Sequence, residues 1–185
     1  MNKDSFALKL LGVLLEGLNY MFQKLRSDLT KELNSIRLLL VNADGFNSNG
    51  AGSPIKLGLN GSSIERLKDE GVECIAFSAK KSQKISSTAE SLGIALFEAV
   101  SDKTEFYSKM KSEYSLLDNE IALICRDQAD LQIMKRVSFS ASTPDSPLDI
   151  KSESYYPTYG SGGHAVCEIA ELIIKSKRYP DGWSE

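Results

Sequence analysis

The sequence contains one histidine and three widely spaced cysteines, and this scarcity argues against two classes of site. His164 has no clustered thiols beside it, so a zinc site, which takes histidine and cysteine ligands, is nearly excluded. Cys74, Cys125 and Cys167 include no Cys-x-x-Cys pair. Their odd number and wide spacing are typical of reduced thiols in a cytoplasmic protein and not of a disulfide framework.

Long apolar runs and an excess of basic charge are also missing. No segment approaches the ~18 consecutive uncharged apolar residues that a membrane-spanning helix needs. The formal net charge is −3, so the composition gives no indication of a nucleic acid or an anionic membrane as a partner. With 185 residues, 42% of them apolar and 25% charged, the chain has the profile of an ordinary one-domain globular protein.

Residues 1–35 are predicted to form a long amphipathic helix. Apolar side chains recur there at steps of three and four, at Phe6, Leu10, Leu14, Leu18, Met21, Leu25, Leu29 and Leu33. Charged residues interrupt the first apolar run and no small-residue cleavage site follows it, which favours a helix over a secretion signal. About thirty helical residues would span ~45 Å. Because a small domain does not need that length, we expect an oligomer interface more than packing within the domain.

The rest of the chain alternates between short apolar segments and helical segments. The predicted strands are Ile36–Val41, Glu73–Phe77, Ile94–Glu98, Ile121–Ile124 and Val137–Ser140, and the predicted helices are Ser63–Glu70, Gln83–Leu92, Thr104–Tyr114, Asp130–Lys135 and Ala165–Lys177. This alternation predicts an α/β fold, in which a mostly parallel sheet has helices on both faces. We place this domain at residues 36–178 and a tail at 179–185.

Polar residues follow several of the predicted strands. Asn42 and Asp44 follow the first strand, Ser78 follows the second and Asp127 follows the fourth. Ligands of parallel α/β sheets bind at the carboxyl ends of the strands, so we expect these side chains to line one site. Residues 45–61, rich in glycine, asparagine and serine, are predicted to form a loop or small hairpin beside that site.

Five short motifs occur in order along residues 36–175. They are Asn42-Ala43-Asp44-Gly45, Phe77-Ser78-Ala79-Lys80, Ser101-Asp102-Lys103, Arg126-Asp127-Gln128-Ala129-Asp130 and Gly162-Gly163-His164-Ala165-Val166-Cys167-Glu168. In order and approximate spacing they resemble the motifs of the cap-less haloacid dehalogenase (HAD) phosphatases that act on 3-deoxy-D-manno-octulosonate 8-phosphate. They also resemble the related C-terminal domain of animal CMP-sialic acid synthetases. The resemblance implies a Rossmann-like HAD fold and, since the family commonly forms tetramers, a homo-oligomer.

The resemblance also implies roles for individual residues. Asp44 would handle the proton of the leaving group, while Ser78 and Lys103 would hold the phosphoryl group, the lysine by neutralising its charge. Asp127 would be a magnesium ligand. The family's arginine in the glycine-rich run, which would face the acid group of the substrate, is either replaced by His164 or lost, because the run is one residue shorter here. His164 is otherwise a solvated loop residue.

Two departures from the family pattern fall on reactive positions. Asn42 occupies the position of the nucleophile, and a neutral carboxamide is a poor nucleophile. Arg126 occupies the position of a metal ligand, which changes the local charge by two units. Each unit is worth about 4 kcal/mol at ~4 Å with an effective dielectric near 20. We therefore expect no cofactor, or magnesium if the protein is active. We predict a catalytically impaired domain that acts in assembly or in binding an anionic sugar or phosphate.

Other interpretations of the same residues stay open. The main alternative is a magnesium-dependent hydrolase of a sugar-acid phosphate, in which Asp44 or a water replaces the missing nucleophile. Asp44 could otherwise be a turn residue, and Ser78 a helix cap with Lys103 an exposed lysine. Arg126 could bind an anion in place of the metal. An internal salt bridge from Arg126 to Asp127 or Asp44 is the explanation that we favour.

Overall fold

The computed structural model describes residues 28–47 and 62–180. The helix predicted over residues 1–35 lies outside this part of the chain except for residues 28–34, which are helical (α1). Leu33 is fully buried in the core and Leu29 packs against it, so α1 is attached to the domain. Most of the loop predicted over residues 45–61 also lies outside the described ranges.

The central feature is a six-stranded sheet. Its strands are β1 (Leu38–Asn42), β2 (Glu73–Phe77), β3 (Ala95–Phe97), β4 (Ile121–Cys125), β5 (Phe139–Ser142) and β6 (Tyr156–Pro157). The spatial order is β3-β2-β1-β4-β5-β6, and every neighbouring pair is parallel. This is the strand order of the Rossmann fold. The predicted α/β class is therefore confirmed, with a sheet that is entirely parallel over the described residues.

Six further helices connect and cover the strands. They are α2 (Ser62–Asp69), α3 (Gln83–Leu92), α4 (Lys103–Glu113), α5 (Leu131–Met134), α6 (Leu148–Glu153) and α7 (Gly163–Arg178). The five strands and five helices predicted from the sequence are all present, with ends displaced by at most a few residues. The sequence did not predict α6 and β6, which have six and two residues. Both are too short to show a hydrophobic period.

Alternating side chains of the strands build two cores, one on each face of the sheet. On β1, Leu39 and Val41 belong to one core, together with buried residues of α1, α2, α3 and α7. Leu38 and Leu40 belong to the other core, which α4, α5 and α6 cover. Because both faces are covered, the five residues of β1 are all buried. The predicted arrangement of helices on both faces is confirmed.

The carboxyl ends of β1 and β4 lead into short 3-10 turns. The chain after β1 forms such a turn at Ala43–Asn47, and the chain after β4 forms one at Gln128–Asp130. Since β1 and β4 are adjacent and parallel, both turns lie at the same edge of the sheet. Within the described residues, no helix has the length and apolar character needed to cross a membrane.

Candidate functional site

Asn42, the last residue of β1, lies at the centre of the site and is only 3% exposed. Its Nδ2 donates hydrogen bonds to Oδ2 of Asp130 at 2.7 Å and to Oδ2 of Asp127 at 3.2 Å. Its Oδ1 accepts a hydrogen bond from the backbone N–H of Asp44 at 3.1 Å. The two carboxylates can only accept, so the amino side of the amide must face them. Both N–H groups and the oxygen of the amide are thus engaged.

Asp130 is the second essential part of the site, and sequence reasoning gave it no role. It is fully buried, and its Oδ2 also accepts the backbone N–H groups of Arg126 at 2.7 Å and Asp127 at 3.1 Å. These bonds fix the turn after β4 around the carboxylate. The signal in the sequence was its spacing, since an acidic residue three positions after Asp127 matches the reciprocal side-chain bonds of a capped turn.

Lys103, the first residue of α4, supplies the positive charge. Its Nζ donates to both oxygens of Asp127, at 2.7 and 2.9 Å, and to Oδ1 of Asp130 at 3.0 Å. Only 7% of the side chain is exposed. Burial acts to lower the pKa of Lys103, but attraction to Asp130 and the hydrogen bonds to both carboxylates raise it above the ordinary value. The ammonium therefore stays charged.

Asp127 completes what we call the Asn42 cluster, namely Asn42, Lys103, Asp127 and Asp130. Burial acts to raise the pKa of Asp127, but the hydrogen bond and charge of Lys103, followed by the bond from Asn42, hold it below the ordinary value. Oδ1 of Asp127 also accepts the backbone N–H of Ala129 at 3.0 Å. Each of the three ammonium N–H groups thus has a carboxylate oxygen. The phosphate-binding role predicted for Lys103 stays a prediction, and it requires one of these bonds to break.

Asp44 and Ser78 are brought together on the β2 side of the Asn42 cluster. The Ser78 hydroxyl lies 2.6 Å from Oδ1 of Asp44 and 2.8 Å from the carbonyl of Lys80, and its single proton can go to only one of them. The backbone N–H of Ala79 donates to Oδ2 of Asp44 at 3.4 Å. Asp44 is half-buried, so the two residues form a polar pair at the ends of adjacent strands. Their catalytic and phosphate-binding roles stay predictions.

Arg126 forms an ion pair with Asp145, on the loop after β5. The prediction of a salt bridge from Arg126 to Asp127 or Asp44 is therefore wrong. One reason is that Lys103 and Asn42 already occupy the carboxylate of Asp127. Another is the path of the side chain, because a Cβ added at Gly45 would lie 3.3 Å from Cδ of Arg126. The stem of Arg126 thus passes close to the glycine, and its guanidinium pairs with Asp145.

His164 lies in the first turn of α7, and its backbone N–H donates to the carbonyl of Ser161 at 3.3 Å. Gly162 precedes this turn with φ +59°, a conformation that favours glycine. A Cβ at Gly162 would lie 3.8 Å from the carbonyl oxygen of Gly45, so the start of α7 adjoins the turn after β1. The Ser161 hydroxyl also bonds Asp145 at 2.9 Å. Substrate binding by His164 stays a prediction.

The residues at this edge are a poor fit to a divalent cation. Magnesium needs hard oxygen ligands with free lone pairs in near-octahedral geometry. Here the carboxylates of Asp127 and Asp130 face the N–H groups of Asn42 and Lys103, which would repel a cation. No group of three or more histidine, cysteine, aspartate or glutamate side chains suited to a metal occurs within residues 28–47 and 62–180.

A cleft of about 630 Å³ opens beside the Asn42 cluster. One wall comes from the chain before α4 and its first turn, with Ser101 and Thr104. The other wall comes from the turn after β4 and from α5, with Gln128 and Gln132. Lys103 and Asp127 are among the residues that line the cleft, so a ligand there would lie next to the cluster.

No protein-family model matches the chain. Several solved structures have a similar fold. A HAD superfamily (subfamily III A) hydrolase from Legionella pneumophila is 21% identical with a TM-score of 0.74, and the match covers 88% of this chain and 94% of that one. A probable YrbI family phosphatase from Pseudomonas syringae is 26% identical with a TM-score of 0.69, covering 81% and 91%.

A third similar structure carries ligands. It is the 3-deoxy-D-manno-octulosonate 8-phosphate phosphatase from Moraxella catarrhalis, in complex with magnesium, phosphate and a KDO molecule. It is 24% identical with a TM-score of 0.69, and the match covers 83% of this chain and 94% of that one. These structures bear out the resemblance to the octulosonate phosphatases. The resemblance to the synthetase domain stays a prediction. The chain therefore has the Rossmann-like fold of the HAD phosphatases and is similar in structure to the KDO 8-phosphate phosphatases.

Proposed function

We propose that the chain is a phosphatase-like HAD domain with little or no hydrolytic activity, which acts in assembly or in ligand binding. The observation that supports this most strongly is the carboxamide of Asn42, bonded at once to Asp127, Asp130 and the backbone of Asp44. By resemblance, this position holds the attacking carboxylate of the phosphatases. A residue whose amide is used entirely for structure supplies no nucleophile.

The charge balance around Asn42 supports the same proposal. A phosphatase of this kind needs a metal ion to position the phosphoryl group and neutralise its charge. Here the Lys103 ammonium provides the countercharge of Asp127 and Asp130, at 2.7 and 3.0 Å. Arg126, at the position of a metal ligand, pairs with Asp145. Because Lys103 supplies the countercharge of both carboxylates, we propose that the domain needs no metal cofactor.

The ligand and the assembly are further parts of the proposal. The phosphate and KDO in the similar Moraxella structure support the prediction of an anionic sugar or phosphate for this chain. A homo-oligomer, with a tetramer as the form expected by resemblance, and a cytoplasmic location stay predictions from the sequence. Deleting residues 1–27 and measuring the molecular mass in solution tests whether the N-terminal segment forms the oligomer interface. An unchanged oligomeric state would count against that prediction.

The experiment for hydrolysis is an assay of phosphate release. The wild-type chain is incubated with sugar-acid phosphates and p-nitrophenyl phosphate, with magnesium and with EDTA, and we expect no magnesium-dependent release above the background. The matched variants are Asp44→Ala and the double reversal Asn42→Asp with Arg126→Asp. Turnover by the wild type that Asp44→Ala abolishes would establish the alternative, a hydrolase with an atypical site. Activity gained only by the double variant would support the proposal.

A further inference from the structure

The cleft beside Lys103 has the size of a small-molecule site. Its volume of about 630 Å³ falls within the roughly 300–1,000 Å³ that such sites occupy. It opens at the carboxyl edge of the sheet, where parallel α/β folds bind their ligands. The charged residues that line it are Asp102, Lys103 and Asp127. The chemistry of these three decides which ligands the cleft can accept.

Lys103 has no N–H group to spare for a ligand in the cleft. Its three protons go to the two oxygens of Asp127 and to Oδ1 of Asp130. The side chain of Asp127 is 41% exposed, whereas that of Lys103 is 7% exposed. A ligand entering the cleft therefore meets the carboxylate before it meets the ammonium.

The N-terminus of α4 is also closed to an anion. Free N–H groups at a helix N-terminus are a common binding site for phosphate. In α4, Oδ1 of Asp102 accepts the N–H groups of Thr104 at 2.8 Å and Glu105 at 2.9 Å. The carboxylate thus occupies the place that a phosphate would take. A phosphate in the cleft would face Asp102 and Asp127 and gain no donor from the helix.

The cleft also offers few hydrogen-bond acceptors to a cationic ligand. The carboxylate oxygens of Asp127 already accept bonds from Lys103, Asn42 and Ala129, so they have little capacity left for an ammonium group. The other polar residues that line the cleft include Ser101, Thr104 and Gln132, whose side chains carry hydroxyl or amide groups. Hydroxyl and amide groups both donate and accept hydrogen bonds, as the hydroxyls of a sugar do.

We propose that this cleft binds an uncharged polyhydroxylated compound of monosaccharide size. The inference rests on the proposed function, because a domain that hydrolyses phosphate esters must hold a phosphate here. For this cleft it goes beyond the proposed function, because it replaces the anionic ligand expected by resemblance with one that presents only uncharged hydroxyl groups. Val100 and Ala79 add an apolar part to the lining, against which the C–H groups of a sugar ring can pack.

The test is a set of paired titrations of the full chain without magnesium. The probes are D-glucose, D-ribose and mannitol, each with its terminal phosphate ester, followed by the backbone amide signals of the ¹⁵N-labelled protein. We expect at least one uncharged compound to bind saturably and about tenfold or more tightly than its ester. The signals that shift should belong to Ser101, Thr104 and Gln132.

Single variants locate the binding. Thr104→Val and Gln132→Leu should each lower the affinity for the uncharged probe at least severalfold. The matched control, Thr88→Val, lies on α3 on the other face of the sheet and should leave the affinity unchanged. Circular dichroism checks that each variant is folded, and the two independent cleft variants keep the test decisive if one of them is unstable.

The outcomes separate this inference from the proposed function. Tighter binding of the phosphate esters, or no shift of the cleft signals with any uncharged probe, would overturn the ligand class. Ester binding without phosphate release would leave the proposed function standing. Magnesium-dependent phosphate release from the same esters would contradict the proposed function itself.

Discussion

Replacing Asn42 by aspartate would place a third carboxylate against Asp127 and Asp130. The distances from Nδ2 are 3.2 and 2.7 Å, and both N–H···O bonds would become contacts between oxygens. Two unit charges ~4 Å apart repel by about 4 kcal/mol at an effective dielectric near 20. Lys103 can offset only part of this repulsion, because its charge is already shared between two carboxylates.

The expected loss of stability follows from the pKa of the introduced carboxyl group. Repulsion by Asp127 and Asp130 raises the pKa of that group in the folded state. The group can therefore bind a proton, which limits the electrostatic cost to the free energy of protonating it. Protonating a carboxyl with an ordinary pKa of about 3.9 costs about 4 kcal/mol at pH ~7 and about 1.5 kcal/mol at pH ~5. These two values are upper limits on the electrostatic part of the stability that Asn42→Asp loses at each pH. The protonated carboxyl group can still donate to one of the two carboxylates, so the loss of the other hydrogen bond adds about 1 kcal/mol to the cost.

Urea unfolding followed by circular dichroism measures this change in the Asn42→Asp variant. Because the folded pKa is raised above the unfolded one, the variant should lose stability progressively as the pH rises from about 5 to about 7. The control Asn42→Ala removes the same hydrogen bonds and adds no charge, so its cost should be nearly constant over this range. Equal stability of Asn42→Asp and the wild type at pH ~7, or a cost that does not change with pH, would refute the arrangement of the Asn42 cluster.

Three further changes probe other parts of the structure. Lys103→Met leaves the buried carboxylate of Asp130 and the partly exposed one of Asp127 without a countercharge and should cost about 3–5 kcal/mol in urea unfolding, whereas Lys80→Met, on an exposed residue, should stay within about 0.5 kcal/mol. Gly162→Ala forces a side chain onto φ +59° and should lower stability by about 1–3 kcal/mol in the same assay. The hydrogen bonds of Lys111 and Tyr107 lower the pKa of Asp118, so its contribution is present above the ordinary pKa of about 3.9 and is lost as the pH falls through the lowered value. Acid titration of Asp118→Asn should therefore converge with that of the wild type at low pH, and a constant difference would contradict this reasoning.

Much of the fold was predictable because its strands are buried on both faces. A parallel strand covered on both sides needs a continuous apolar run, and Leu38–Val41 and Ile121–Ile124 stand out in the sequence for that reason. The two-residue strand Tyr156–Pro157 at the edge of the sheet has no such run. It forms through its pairing with β5, which local sequence does not reveal.

The membership of the site was more predictable than its bonding. The ends of adjacent parallel strands must meet, so Asn42, Asp44, Ser78 and Asp127 could be assigned to one edge before any coordinates were known. The partner of Arg126 could not be predicted, because the choice between nearby carboxylates depends on the path of the side chain over Gly45.

The side-chain amide of Asn42 and the ammonium group of Lys103 have hydrogen-bond partners for all their N–H groups. These bonds affect which single substitutions the site can accept without losing stability. Reversal at position 42 alone adds a repelling charge, and reversal at position 126 alone leaves Asp145 without its cation. Each single step therefore lowers stability before any metal ion can compensate for it. Under the proposed function, a change to a metal-dependent site by single substitutions would therefore pass through less stable proteins. The contribution of these bonds to stability would then oppose each single change, independently of any ligand.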